Sequence, residues 1–379
     1  MADNGATLSR RALNRALLER QMLIKRTKIP ALDVMEHLIG LQAQAPNPPY
    51  IGLWARVEDF RQDELSGLIE SRQAVRIALM RSTIHLTSAR DALSLRPVVQ
   101  PALERGLKGN YGKHLAGIDE ADLAAEARTL VEKRPMTFRE LGGLLAEDER
   151  WRNREPDTLA AAVRTLLPLV QIPPRGLWGE SGQSVHTTAE AWLGSPAIPA
   201  ISPETMIERY LAAFGPASAK DMQTWSGLTR LGEVVKRIRP RLRIYYDEQG
   251  RELFDVLDAP LPDPDMPIPP RYMAEFDNAL LSHADRSRII SEEDRKRVFT
   301  INGIIRPTFL IDGFVAGMWR IDRKRDAAIL TIEPFRPLRP EDRAGLYEEG
   351  DNLLRFAAAE CGSREIRIAD ESTSSDGLR

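Results

Sequence analysis

The sequence predicts an α+β protein of three tandem winged-helix units followed by a small C-terminal barrel or sheet. Three observations predict it. An order of helix, helix, helix, strand, strand returns three times along the chain. Residues 260–270, PLPDPDMPIPP, hold six prolines in eleven and make a stiff boundary. Beyond that boundary the pattern changes to short alternating strands with glycine turns.

The first unit is assigned to 8–117. LSRRALNRALLERQML reads as a helix with Leu13, Leu17, Leu18 and Met22 apolar. IPALDVMEHLIGLQ begins with Pro30, which a first helical turn tolerates. PPYIGLWARV follows a proline-rich turn, and AVRIALMRSTIHLTS reads as two strands. The second unit, 118–200, opens with DEADLAAEARTLVEKR, whose acidic first turn suits the helix dipole. Thr137 with Glu140 three residues on forms a capping box for the next helix. TLAAAVRTLLPLV is its third helix, and VQIPPRGLWGE with QSVHTTA its strand pair. The third unit, 201–259, runs PETMIERYLAAF with Gly215 as C-cap, SAKDMQTWSG, LTRLGEVVKRIR, and a hairpin that turns at Glu248, Gln249 and Gly250. After the 260–270 linker, 271–379 carries several strands, one long helix (PEDRAGLYEEGDNLLRFAAAE) and a closing strand, SREIRIAD.

Composition excludes several classes. The single cysteine, Cys361, rules out a disulfide framework and a Cys-rich zinc site. No two of the five histidines stand at H-x-x-x-H spacing, and nothing else calls for a metal or cofactor. No apolar run approaches the roughly 20 residues of a membrane span. The start, MADNGATLSRR, lacks an apolar signal core, so a cytoplasmic location is expected.

A net charge of −2 argues against a nucleic-acid partner until it is divided. Residues 8–30 carry +6, 72–96 carry +4 and 230–243 carry +5, leaving −17 for the rest. These runs fall on helices and wings, where phosphates would lie. The expected phosphate contacts are Arg15, Lys25, Arg26, Arg81, Arg237, Arg239 and Arg241.

Three constellations could carry chemistry. In GLQAQAPNPPYIGLWAR, Gln42 and Gln44 point to opposite sides of a helix but share one face of an extended chain. Pro46, Pro48 and Pro49 disfavour helix there, so both amides can converge on one point. Thr83 and His85 share a strand face in the first wing and are expected to line the same cleft. Tyr50 is a candidate for stacking on a base, and Trp54 serves stacking or the core equally well. Asp277, Asn278, His283, Asp285, Arg286 and Arg288 read as a hydrogen-bonded domain junction; a metal site from Asp277, His283 and Asp285 has no strong spacing logic.

Taken together, LIGLQAQAPNPPYIGLWAR, LMRSTIHLTSARD, EFDNALLSHADRSRII and FLIDGFVAGMWR make the chain similar to the winged-helix DNA glycosylases of the AlkZ and YcaQ family over nearly its whole length. The resemblance implies a C-shaped clamp of three winged helices and a β-barrel-like C-terminal domain. It implies excision of N7-alkylated purines, bulky adducts and interstrand crosslinks among them, from double-stranded DNA at the nucleoid. Some members give self-resistance to DNA-alkylating natural products. Gln42-Ala43-Gln44 matches the Gln-x-Gln form of the catalytic motif, which makes Gln42 and Gln44 the expected catalytic residues. Three units in one chain form an intramolecular clamp, so a monomer is expected. The alternative is a winged-helix transcription regulator without catalysis.

Overall fold

In a computed structural model the structure is described for residues 5–194 and 198–369. Residues 1–4, 195–197 and 370–379 lie outside it, and with them part of the N-terminal leader reading, three residues of the 118–200 segment and the end of the 271–379 segment.

The helices begin where side chains can satisfy their free N–H groups. Ser9 caps the helix Arg10–Arg20, Ser88 caps Ala89–Tyr111, Asp119 caps Glu120–Lys133 and Ser202 caps Pro203–Phe214. Thr137 and Glu140 form the capping box that the spacing predicts, and Ser218 with Asp221 forms another. Gly215 is the C-cap of Pro203–Phe214, in an extended rather than a left-handed conformation. Among the described residues five helices have no counterpart in the sequence reading: the short Ala189–Leu193, Asn278–Leu281 and Glu292–Val298, and two longer ones. One is Gln62–Glu70. The other is the 23-residue Ala89–Tyr111, which accommodates Pro97 and Pro101 within it.

Among the described residues three sheets organise the chain. The largest has six strands in the order Leu41–Gln42, Ile84–Ser88, Ala74–Ala78, Leu169–Gln171, Val185–Thr188, Met136–Thr137. The first and second hairpins are therefore joined edge to edge, Arg76 opposite Gln171 and Ile77 opposite Val170. The short Leu41–Gln42 strand is one outer edge. The third hairpin, Leu242–Asp247 with Glu252–Val256, gains a parallel N-terminal strand, Thr7–Leu8.

The C-terminal sheet corrects the barrel expectation. Its order is Arg271–Met273, Thr308–Ile311, Phe314–Lys324, Ala327–Pro334, Ser363–Ile368, and it is open. The last strand crosses over through the helix Pro340–Ala357 and pairs parallel with Ala327–Pro334. That leaves it at the edge opposite Arg271–Met273, so the sheet cannot close. The crossover helix packs against the sheet, with Tyr272 Oη donating to Leu346 O at 2.9 Å.

One continuous core runs from the first helix through the Pro203–Ile238 helices into this sheet. The helices between 120 and 166 bury a separate core around Leu123, Val131, Leu141, Trp151 and Val163. The 260–270 segment contains no helix or strand and is strapped to the first helix. Arg11 and Arg15 donate to the carbonyls of Pro264 and Met266, and Arg20 donates to Pro260 O. At the far hairpin, Asp312 and Gly313 both take positive φ, 46° and 81°, as a tight two-residue turn requires. A side chain at Gly313 would meet Asn14 Oδ1 at 2.5 Å, so this tip docks closely on the first helix. Among the described residues no helix is long and apolar enough to cross a membrane.

Candidate active site

Gln42 lies in the edge strand directly opposite His85, so both side chains fall on one face. The strand is locked to the C-terminal part of the chain. Asn278 Nδ2 donates to Gly40 O at 2.7 Å, and the Gln42 N–H donates to Asn278 Oδ1 at 3.4 Å. Beside it, Arg56 and Asp277 form a fully buried two-pronged ion pair at 2.8 and 2.9 Å.

The two amides are oriented without ambiguity. Arg81 Nη2 donates to Gln42 Oε1 at 2.7 Å, and the Ile84 N–H donates to Gln44 Oε1 at 3.0 Å. Guanidinium and backbone N–H groups can only donate, so each contact must be made by the amide oxygen. Gln42 is buried, while Gln44 is exposed.

Arg81 sits in a short turn, Met80–Ser82, in which Arg81 and Ser82 take left-handed φ of 56° and 58°. Two consecutive non-glycine residues in this region store strain that surrounding contacts must hold. The contacts come from both neighbouring helical groups. Arg164 Nη2 donates to Ser82 O at 2.7 Å, and Arg81 Nη1 donates to the Trp225 carbonyl. Thr83 is half-buried, and its hydroxyl closes the same turn on Met80 O at 3.0 Å.

His85 Nδ1 lies 3.0 Å from the Thr83 carbonyl, which requires the proton on Nδ1 and leaves Nε2 a bare acceptor. Burial first, and then the nearby Arg81 cation, push the His85 pKa down to about 3. The ring is therefore neutral at physiological pH. Burial and the nearby Arg286 also lower the Arg81 pKa to about 10, so Arg81 remains a cation.

Several expected site residues are placed elsewhere. Tyr50 is buried, its hydroxyl donating to Gly176 O and meeting Ser66 Oγ, both at 2.9 Å; it lines no cleft. Trp54 packs on Phe356 with Arg26 over its ring. Arg26 also pairs with Glu349 at 2.7 Å. Arg15 is fully buried, gripping Asp312 and Met266 O, and cannot reach a phosphate. Lys25 is exposed. Arg237, Arg239 and Arg241 are exposed but paired with Glu204, Glu252 and Glu208 at 2.7, 2.6 and 3.1 Å.

The third constellation is a junction. His283 bridges Ser282 Oγ and Phe214 O, Asp285 pairs with Arg251, and Arg288 donates to Pro216 O. Sequence reasoning missed Asn278 and Arg164 as supports of the Gln42 strand and the Met80–Ser82 turn. Asn278 stands in the quoted EFDN segment, but its distance in the chain from Gln42 hides the contact.

Known proteins resemble this chain in sequence and in overall fold. The AlkZ-like DNA glycosylase model matches residues 35–356. An interstrand DNA cross-link repair glycosylase of Streptomyces sahachiroi is 25% identical over 344 residues, covering 84% of this chain and 88% of that protein. The solved structure of the Streptomyces sahachiroi DNA glycosylase AlkZ superposes with a TM-score of 0.79 at 20% identity, over 96% of this chain and 100% of that one. A hydroxypyruvate/pyruvate aldolase of Paraburkholderia phytofirmans is 34% identical over 145 residues, but this covers only 35% of the chain and 53% of that protein. The chain belongs to the AlkZ-like DNA glycosylase family and is a DNA glycosylase, which sets aside the non-catalytic regulator.

Proposed function

We propose that the protein hydrolyses the N-glycosidic bond of cationic N7-alkylated purines in double-stranded DNA, bulky adducts and interstrand crosslinks included. It acts as a monomer, in DNA repair or in self-resistance to a DNA-alkylating natural product. Its three winged-helix units, with boundaries near 117, 200 and 259, and its C-terminal sheet close around the duplex as a clamp. The observation that carries the reading is the glutamine pair, each amide oxygen fixed by an obligate N–H donor at an open sheet edge. The relative named for cross-link repair points the same way.

Amides suit this substrate. Alkylation at N7 makes the base a cation and already a good leaving group, so no general acid is needed. What remains is an oxocarbenium-like sugar and an attacking water. Each Gln Oε1 keeps a second lone pair that can accept from this water and face the developing positive charge. An amide is no base, and His85, neutral with its pKa near 3, supplies no acid at neutral pH. Neutral damaged bases, whose departure needs protonation, should therefore be poor substrates. Thr83 and His85 border the site.

The test is release of free base from duplex DNA carrying 7-methylguanine. The wild type should release it, and a Gln42→Ala, Gln44→Ala double variant should be slower by about 10²-fold or more, the scale of positioning effects. No release by the wild type, or full activity in the double variant, rejects the mechanism.

A further inference from the structure

We propose that Arg81 is a positioning residue: it aims the Gln42 amide, and the helix Ala219–Ser226 docked behind it holds it in place. The inference rests on the catalytic reading of Gln42 given above and assigns to that site a dependence on a helical group distant in the chain.

Arg81 was expected to meet a phosphate, yet its donors are directed into the protein. One guanidinium nitrogen holds Gln42 Oε1 at 2.7 Å and the other holds the Trp225 carbonyl, near the end of the helix Ala219–Ser226. A guanidinium is a rigid planar fork, so fixing one prong fixes the direction of the other. The carbonyl at Trp225 thus sets where the Gln42 oxygen is held.

The backbone is built for this contact. Gly227 ends the helix at φ 79°, and a Cβ there would lie 3.2 Å from both Arg81 N and Arg81 Cα. Only glycine lets the two segments approach so closely without strain. From the other side, Arg164 holds the Ser82 carbonyl at 2.7 Å. The left-handed pair at Arg81 and Ser82 is pinned by both neighbours and aimed at Gln42. A cation beside a site that develops positive charge opposes the reaction electrostatically. Arg81 is therefore retained for geometry rather than for its charge.

The experiment measures single-turnover base release and DNA affinity on 7-methylguanine duplex for wild type, Arg81→Lys, Arg81→Met, Gln42→Ala and Gly227→Ala, with melting temperatures for each. Arg81→Met should slow release by roughly 10²-fold with affinity nearly unchanged. Arg81→Lys cannot hold both oxygens in the same fork and should recover only part of the rate. Gly227→Ala, whose added Cβ would meet Arg81 and Ala102 rather than Gln42, should lower the rate in the same direction by shifting the turn. Adding Arg81→Met to Gln42→Ala should cause no further loss, because the two act through one amide.

Wild-type release with a Gln42→Ala defect, but Arg81 variants that lose only affinity and salt dependence, would return Arg81 to phosphate contact and overturn the proposal. Losses that simply multiply in the double variant overturn it as well. If Arg81→Met does not fold, Arg81→Lys and Gly227→Ala decide: unchanged rates in both reject it. Failure of wild-type release, or full activity in Gln42→Ala, instead rejects the catalytic reading on which it stands.

Discussion

Arg15 and Arg20 of the first helix meet Asp312 and Asp255, carboxylates 297 and 235 residues away. Arg76, Arg81 and Arg164, around the Gln42 strand, meet only neutral oxygens: Gln171 and Ala43, Gln42 and Trp225, and Ser82. Among the described residues none of these three forms an ion pair. Both regions include strongly basic stretches of sequence. The first spends its charge internally, clasping the proline-rich segment and the third hairpin. In the second, burial lowers the pKa of all three arginines, and like-charged neighbours add to this at Arg76 and Arg81. A buried cation without a counter-ion is costly. Here the neutral oxygens that accept from each guanidinium are what offset that cost.

The largest expected effect breaks the first region. Arg20 and Asp255 are both about 1% exposed and pair in two prongs at 2.7 and 2.8 Å. Removing one partner strands the other charge, a loss of about 3–5 kcal/mol. Asp255→Ala should lower the urea midpoint accordingly while the folded fraction keeps its rate of base release. A stability change under 1 kcal/mol, or a catalytic defect in the folded fraction, would erase the contrast between the regions.

The next effect is in acid. His85, His186 and His283 are held neutral, with pKa values pushed down to about 3, 4 and 3, mainly by burial. Arginines add to this at each: Arg81 at His85, Arg164 at His186 and Arg288 at His283, where Asp221 partly opposes. The unfolded chain takes up protons below about 6.5 that the folded chain refuses, so stability falls as pH drops from 6.5 toward the folded values. His85→Gln should flatten that fall by one proton's share, about 1.4 kcal/mol per pH unit, between pH 6 and 4. Identical slopes for variant and wild type would mean that His85 is not held neutral by burial and Arg81.

How much of this was legible divides along chain distance. The capping box at Thr137 and the hairpin turn at Gly250 are local and were read directly. The non-helical backbone at Gln42 was legible too, but the strand covers only Leu41–Gln42, Gln44 lies in a bend, and Pro48 and Pro49 open the helix Pro48–Trp54. The arginines were not legible individually. A run such as RRALNRALLER does not say which positions face Asp255 or Asp312, since those partners arrive only through tertiary packing. Nor does any local pattern record that Ala74–Ala78 pairs with Leu169–Gln171, which merges two hairpins into one sheet. The open C-terminal sheet was missed for the same reason. Short strands look alike whether the last one closes on the first or, as here, runs parallel at the opposite edge.

The smallest expected effect concerns the basic surface that lies between these cases. Arg237, Arg239 and Arg241 are exposed like phosphate contacts but each already faces a glutamate. Exposed pairs of this kind contribute about 0–1 kcal/mol, so replacing all three with alanine should barely move the melting curve. The informative readout is the slope of log affinity against log salt. An arginine that binds a phosphate by releasing counterions adds about one unit to that slope. Where DNA must displace a glutamate already in place, fewer ions are released, and the triple variant should lower the slope by clearly less than three. A full loss of about three units would mean that Glu204, Glu252 and Glu208 let go on binding. The 230–243 run would then act as an open cationic surface rather than a neutralised one.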